Sequence, residues 1–309
     1  MQNYQTRSAV LFLIFNRPDV TKKVFEQIRH AKPARLYVAA DGPRSDKENE
    51  ALLCEQTRAI IKAIDWDCEL KTLYRDENLG CKVAVSSAIG WFFDQEDEGI
   101  ILEDDCLPVT SFFYFCDTLL DYYRNDNRVR HIAGSNFQQG NTWGEASYYF
   151  SKLTHVWGWA SWKRVWADYD VDLSDYNDNE VKQQLHDIFG DTYVVNSWMQ
   201  IFEVLKAKKI NTWDYQLAFT NFMKKGLSVM PNVNLVSNIG FGSGATHTSD
   251  IENENAGIPL SNINDIIHPK NMLPEKEADM FTLNKDFNVE ARKKKDKTLK
   301  ARFKRLFIR

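Results

Sequence analysis

Four short apolar runs, residues 8–15, 35–40, 68–74 and 99–102, alternate with stretches of helical character, and this alternation constrains the fold more than any other feature. The run at 8–15 is apolar almost throughout, as strands covered on both faces are. Asn16-Arg17-Pro18-Asp19 stops it, and Asp19 can cap a helix to about His30 with Val20, Val24 and Ile28 on one face. Helices over about 46–64 and 81–93 separate the later runs. Strand and helix in short alternation predict an α/β fold with a mostly parallel central sheet, right-handed crossovers and flanking helices.

In such sheets ligands lie beyond the carboxyl ends of the strands. Those ends carry Arg17, then Asp41-Gly42-Pro43-Arg44, then Glu103-Asp104-Asp105 ahead of Cys106-Leu107-Pro108. Three adjacent carboxylates repel one another and resist desolvation, so at the mouth of a buried strand they call for a cation. Hard oxygen ligands favour Mg²⁺ or Mn²⁺, ions that keep positions open for water and substrate phosphates. A solvated turn with helix-capping acids is the plainer alternative.

The chain then predicts an aromatic helix at 110–124, a strand at 129–133, helices at 179–189 and 193–208, a helix from the Thr212-Trp213-Asp214-Tyr215-Gln216 stretch to Lys225, and a strand at 227–230. A glycine-rich loop at 240–248 follows, and loop formers dominate 250–288. Five of the nine tryptophans fall between Trp143 and Trp166. Trp157 and Trp159 are candidates to stack on a sugar ring, with core packing as the alternative. The five cysteines show no C-x-x-C spacing, which argues against a disulfide framework or zinc site. No apolar window is long enough to span a bilayer and the start is polar, so a cytoplasmic protein is expected.

The overall net charge of −4 hides an asymmetry. From Arg292 to Arg309 there are ten Lys and Arg against one Asp, so the body is acidic and the tail basic. In a helix Leu299, Phe303, Leu306 and Phe307 would form an apolar stripe among these bases, as in helices that lie on anionic bilayers. The tail therefore predicts a peripheral position on the inner face of the cytoplasmic membrane; a solvated tail or a nucleic-acid contact is the alternative.

The run from Glu103 to Phe115, an acidic triplet followed by proline and an aromatic helix, resembles the D-x-D element of GT-A fold glycosyltransferases. It has the E-D-D form of the N-acetylglucosaminyltransferase I type and of family 2-like sugar transferases. Gly158-Trp159, Trp213-Asp214 and the stretch from Asn238 to His247 follow in the family's order. The resemblance implies a GT-A domain over 1–249, with a nucleotide-binding half at about 8–135 and an acceptor half at 136–249. An extension at 250–291 and the basic tail at 292–309 complete the chain.

The resemblance also implies roles. Arg17, Asp41 and Lys82 would hold the uridine and diphosphate of a nucleotide sugar, with Glu103 on the donor sugar and Asp104 on the ribose or a metal-bound water. Asp105 would bind Mn²⁺ or Mg²⁺, and His247 the phosphate or the metal. Asp214 would be the base of an inverting transfer, with Asp168 and Asp191 as substitutes. The expected function is metal-dependent transfer from a nucleotide-sugar donor to a surface glycan or lipid-linked acceptor, with no nucleic-acid partner. The alternatives are a nucleotidyltransferase acting on sugar phosphates and a non-catalytic carbohydrate-binding membrane-associated protein.

Overall fold

The computed structural model of the chain describes residues 4–241, 255 and 257–307. Its first half is built from β1 (Ala9–Ile14), α1 (Pro18–Ala31), β2 (Arg35–Ala40), α2 (Glu50–Ala59), β3 (Glu69–Tyr74), α3 (Gly80–Gln95), β4 (Glu98–Glu103), β5 (Cys106–Pro108), α4 (Thr110–Tyr122) and β6 (Val129–Ala133). There follow β7 (Tyr148–Ser151), β8 (Trp159–Trp162), α5 (Lys163–Trp166), α6 (Asp178–Phe189), α7 (Thr192–Lys206), α8 (Asp214–Met223), β9 (Leu227–Pro231), β10 (Val236–Asn238), α9 (Lys276–Phe287) and α10 (Val289–Phe307).

The fold is mixed α/β, with an eight-stranded sheet of order β3-β2-β1-β4-β8-β6-β9-β7. β3, β2, β1 and β4 pair in parallel, as do β6 and β9, while β8 and β7 run against their neighbours. The central strands show why an unbroken apolar run is needed. Along β1, Val10, Phe12 and Ile14 enter one core cluster while Ala9, Leu11 and Leu13 enter another, so successive side chains meet helices on opposite faces. α1 and α4 cover the first face; α3 covers the second with Ala88, Ile89, Phe92 and Phe93. A third cluster joins α6, α7 and α8.

Two regions depart from the expected pattern. The tryptophan-rich segment supplies a central strand, β8, inserted antiparallel between β4 and β6. Residues 276–287, expected to be loop, form α9, and its Ala278 and Leu283 are buried in the third cluster. α10 begins against α7: Arg292 Nη1 donates to Ser197 Oγ at 2.7 Å, Lys293 pairs with Asp191 at 2.6 Å, and Tyr193 donates to Asp296 at 2.7 Å. The first bases of the tail thus dock the helix on the body.

Candidate functional site

The carboxyl ends of β1, β2 and β4 open into a cleft of about 450 Å³. Leu13 and Glu103 are in register on adjacent parallel strands, which carries the residues following each to the same edge. The cleft is lined by Arg17, Asp41, the Glu103-Asp104-Asp105 triplet, Trp157, Asp214 and Asn238 among others. Its deeper wall is apolar, from Leu13, Ala39, Leu73, Ala84, Val85 and Ala88.

Arg17 grips the acidic triplet. Its Nη2 contacts Asp104 Oδ1 and lies 3.0 Å from Asp105 Oδ2, and its Nε lies 3.4 Å from Asp104 Oδ2. Burial works against the guanidinium charge, but Asp104 and Asp105 hold its pKa above the ordinary value. Burial pushes Asp104 up to about 6, with Arg17 pulling the other way and Asp105 adding to the rise. The Glu103 carboxylate makes no hydrogen bond among the described residues. Burial, then the charges of Asp105, Asp104 and Asp214, raise it well above the usual carboxylate range.

Asp105 is also tied through its backbone. Its carbonyl accepts from Ile239 at 2.8 Å, where β10 pairs with β5. Asn238 Oδ1 then accepts from the N–H of Gly240 at 2.8 Å and turns the chain over the ion pair.

Asp214 is the first residue of α8 and accepts from the hydroxyl of Thr212. Trp213 before it stacks on Trp159 at 5.8 Å, and its carbonyl accepts from Tyr169 at 3.0 Å. Cys81, at the start of α3, also faces the cleft; burial, with Glu103, Asp214 and Asp41, pushes its thiol up to about 12.

Several expectations change. Asp41 lines the cleft, but its carboxylate accepts from the N–H groups of Gly42, Leu79 and Gly80 and so caps α3. Lys82 turns away from the cleft and pairs with Asp172 at 2.9 Å, because the first turn of α3 faces the 172 loop. Trp159 is 1% exposed, stacked between His131 at 5.2 Å and Trp213, so neither ring face is left for a sugar. Trp157, two residues before β8 begins, stays half-buried on the cleft wall, with Phe137 and Phe241 in T-shaped contact with its ring. Asp168 pairs with Arg130 and Lys224, and Asp191 caps α7; neither lines the cleft. His247 lies outside the described residues.

No family model and no curated protein matches this chain. Solved structures with a similar backbone course include 4-diphosphocytidyl-2C-methyl-D-erythritol synthase from Anaerococcus prevotii, at 10% identity and TM-score 0.33 over 55% of this chain and 79% of that one. HddC from Yersinia pseudotuberculosis matches at 10% identity and TM-score 0.33, over 52% and 80%. The glycosyltransferase GlyE of Streptococcus pneumoniae matches at 12% identity and TM-score 0.35, over 72% and 45%. Likenesses this low carry no argument about activity, which rests on the cleft itself.

The structure adds residues that sequence reasoning passed over. Arg75, at the end of β3, lines the cleft with a bond to Ser87 Oγ at 2.8 Å and no carboxylate partner among the described residues. Glu50, 4% exposed, gathers Asn16 and Arg44, and the Arg44 hydrogen bond is the chief cause of its lowered pKa. An arginine immediately after an apolar run is the one local signal that could have flagged Arg75.

Among the described residues no group of three His, Cys, Asp or Glu side chains is arranged to hold a metal. The strand-end carboxylates nevertheless fit a hard divalent cation that takes one or two protein oxygens and completes its shell with phosphate and water. Asp105 and Glu103 are the side chains that would hold it.

Proposed function

We propose that this chain is a glycosyltransferase of the GT-A kind, transferring a sugar from a nucleotide-diphosphate donor, a UDP-sugar, to a glycan or lipid-linked acceptor. One observation carries the reading: the cleft at the strand ends brings the Glu103-Asp104-Asp105 triplet together with Asp214, which is near enough for its charge to raise Glu103. A cleft so acidic repels a diphosphate unless a cation enters with it, so Mn²⁺ or Mg²⁺ at Asp105 is part of the proposal. When bound, such an ion neutralises charge on the departing nucleoside diphosphate.

The chain's own residues do the rest. Arg75 and Arg17 are the cleft's candidate phosphate partners, the guanidinium fork matching two phosphate oxygens. The apolar wall of Leu13, Ala39, Leu73, Ala84 and Val85 suits a planar base between the sheet and α3. Asp214 takes the proton of the acceptor hydroxyl as the oxygen attacks the anomeric carbon, giving inversion. Trp157 offers the ring against which a sugar can lie.

No helix among the described residues is long and apolar enough to cross a membrane. The proposed acceptor is met instead at an anionic surface on the inner face of the cytoplasmic membrane, through α10 beyond its docked first turns.

A nucleotidyltransferase acting on sugar phosphates is the second reading, because a strand-end carboxylate cluster on this kind of sheet suits that chemistry too. Asn16-Arg17-Pro18-Asp19 lacks the glycines that such an enzyme needs to wrap a triphosphate after β1. Incubation with UDP-sugars and Mn²⁺, scored for nucleoside diphosphate, against nucleoside triphosphates with sugar phosphates, scored for pyrophosphate, separates the two. Diphosphate release that depends on Asp105 and Asp214 is the expected result; pyrophosphate release replaces the first reading with the second.

A further inference from the structure

The proposed cation and Arg17 need the same oxygen. The Arg17 fork reaches both carboxylates, and its Nη2 stands 3.0 Å from Asp105 Oδ2. The backbone of Gly240 closes over the pair: a Cβ there would lie 2.4 Å from Asp105 Oδ2 and 2.6 Å from Arg17 Nη1. Asp104 and Asp105 are 4% and 9% exposed, so neither can stay charged without a positive partner. A guanidinium engaged in this way is also withheld from phosphate.

We infer that Arg17 is a place-holder for the cation, neutralising Asp104 and Asp105 while the cleft is empty and moving from Asp105 to the diphosphate when a divalent ion enters with the nucleotide. The inference rests on the metal-dependent nucleotide-sugar reading above and deepens it. Charge conservation favours exchange over simple addition. A cation arriving alone would drive Arg17 from its carboxylates with no new anion to meet. A cation arriving with a diphosphate brings the anion that Arg17 needs. Ion and nucleotide must then bind with positive coupling, in part because phosphate enters the ion's shell and in part through Arg17.

The test is Mn²⁺ binding, read from the electron paramagnetic resonance signal of the free ion, with and without UDP. It is applied to the wild type, Arg17→Met and Arg17→Lys, each checked for folding by its melting curve. In the wild type, UDP is expected to tighten Mn²⁺ binding at least about tenfold. Arg17→Met is expected to bind Mn²⁺ alone at least about tenfold more tightly than the wild type and to show weaker coupling with UDP, keeping only the part that comes from phosphate in the ion's shell. Arg17→Lys, which keeps the charge but loses the fork, falls between them and carries the test if the methionine variant does not fold. If the wild type takes up Mn²⁺ with UDP while neither variant gains affinity for Mn²⁺ alone, Arg17 is no place-holder and the functional reading stands. If the wild type takes up no Mn²⁺ even with UDP, the metal-dependent reading fails and the inference fails with it.

Discussion

The hydroxyl of Tyr169 donates to the carbonyl of Trp213 at 3.0 Å, fixing the residue immediately before Asp214. The Tyr169 ring lies nearly flat on Trp166 at 4.2 Å, and Trp213 lies on Trp159, so the start of α8 is hung on a stack of aromatic side chains. Asp214 is thereby held at the cleft by this aromatic stack. Asp214→Asn is expected to lower kcat by about 10² to 10⁴ while leaving UDP affinity unchanged, the signature of a lost general base. Tyr169→Phe keeps the stack and loses one hydrogen bond worth about 1 kcal/mol, so kcat should fall about fivefold with KM for the donor unchanged. A raised KM at constant kcat in Asp214→Asn would assign Asp214 to binding instead.

Asp105 is the carboxylate through which metal dependence should appear. Chelation of divalent ions from the wild type is expected to abolish donor turnover, and Mn²⁺ to restore it. Asp105→Ala should lose on the order of 10²-fold or more in turnover at an Mn²⁺ concentration that saturates the wild type, since the proposed ligand is gone. Release of nucleoside diphosphate measures both, and turnover of Asp105→Ala at the wild-type level would sink the assignment.

Gly240 closes the site because it has no side chain. Its missing Cβ would overlap both Asp105 Oδ2 and Arg17 Nη1, and neither group can retreat without breaking a buried ion pair. Gly240→Ala is therefore expected to cost about 1–3 kcal/mol in a denaturant titration and to weaken Mn²⁺–UDP binding together with it. Retention of full stability would show that the 238–241 turn can lift away from the pair.

Much of this arrangement was legible because it is local. β1 announces itself as an unbroken apolar run, and its alternate residues do separate into two cores. The strand-end positions of Arg17, Asp41 and the triplet follow from where such runs stop. What was hidden depends on partners far along the chain. Lys82 looks like a cleft lysine until Asp172 turns it outward. Trp157, Trp159 and Trp162 look alike in sequence. Only the end of β8 decides that Trp159 and Trp162 fill the cores on the two sheet faces while Trp157 meets the cleft. α9 escaped notice because its buried stripe is Ala278, Asp279, Thr282 and Leu283, in which polar residues blur the helical period.

His131 on β6 gives the fold a predictable acid response. Its Nε2 lies 2.8 Å from the carbonyl of His155, which can only accept, so Nε2 carries the hydrogen and the buried Nδ1 is left with no partner among the described residues. Burial pushes the imidazole down to about 4, against about 6.5 in an unfolded chain. The unfolded chain takes up the proton first, so this contribution to stability is complete above about pH 6.5 and is lost as pH falls toward about 4. It amounts to at most about 3 kcal/mol. His155, pushed down to about 3 by burial, acts in the same direction, whereas Asp104 and Asp279, each raised to about 6, act in the opposite one. Comparing wild type with His131→Gln cancels the Asp104 and Asp279 contributions, and the glutamine amide can still donate to the carbonyl of His155. Denaturant titrations between pH 7 and 4.5 should show the variant gaining on the wild type as pH falls. A stability difference that stays constant over that range would mean that His131 does not change charge on unfolding.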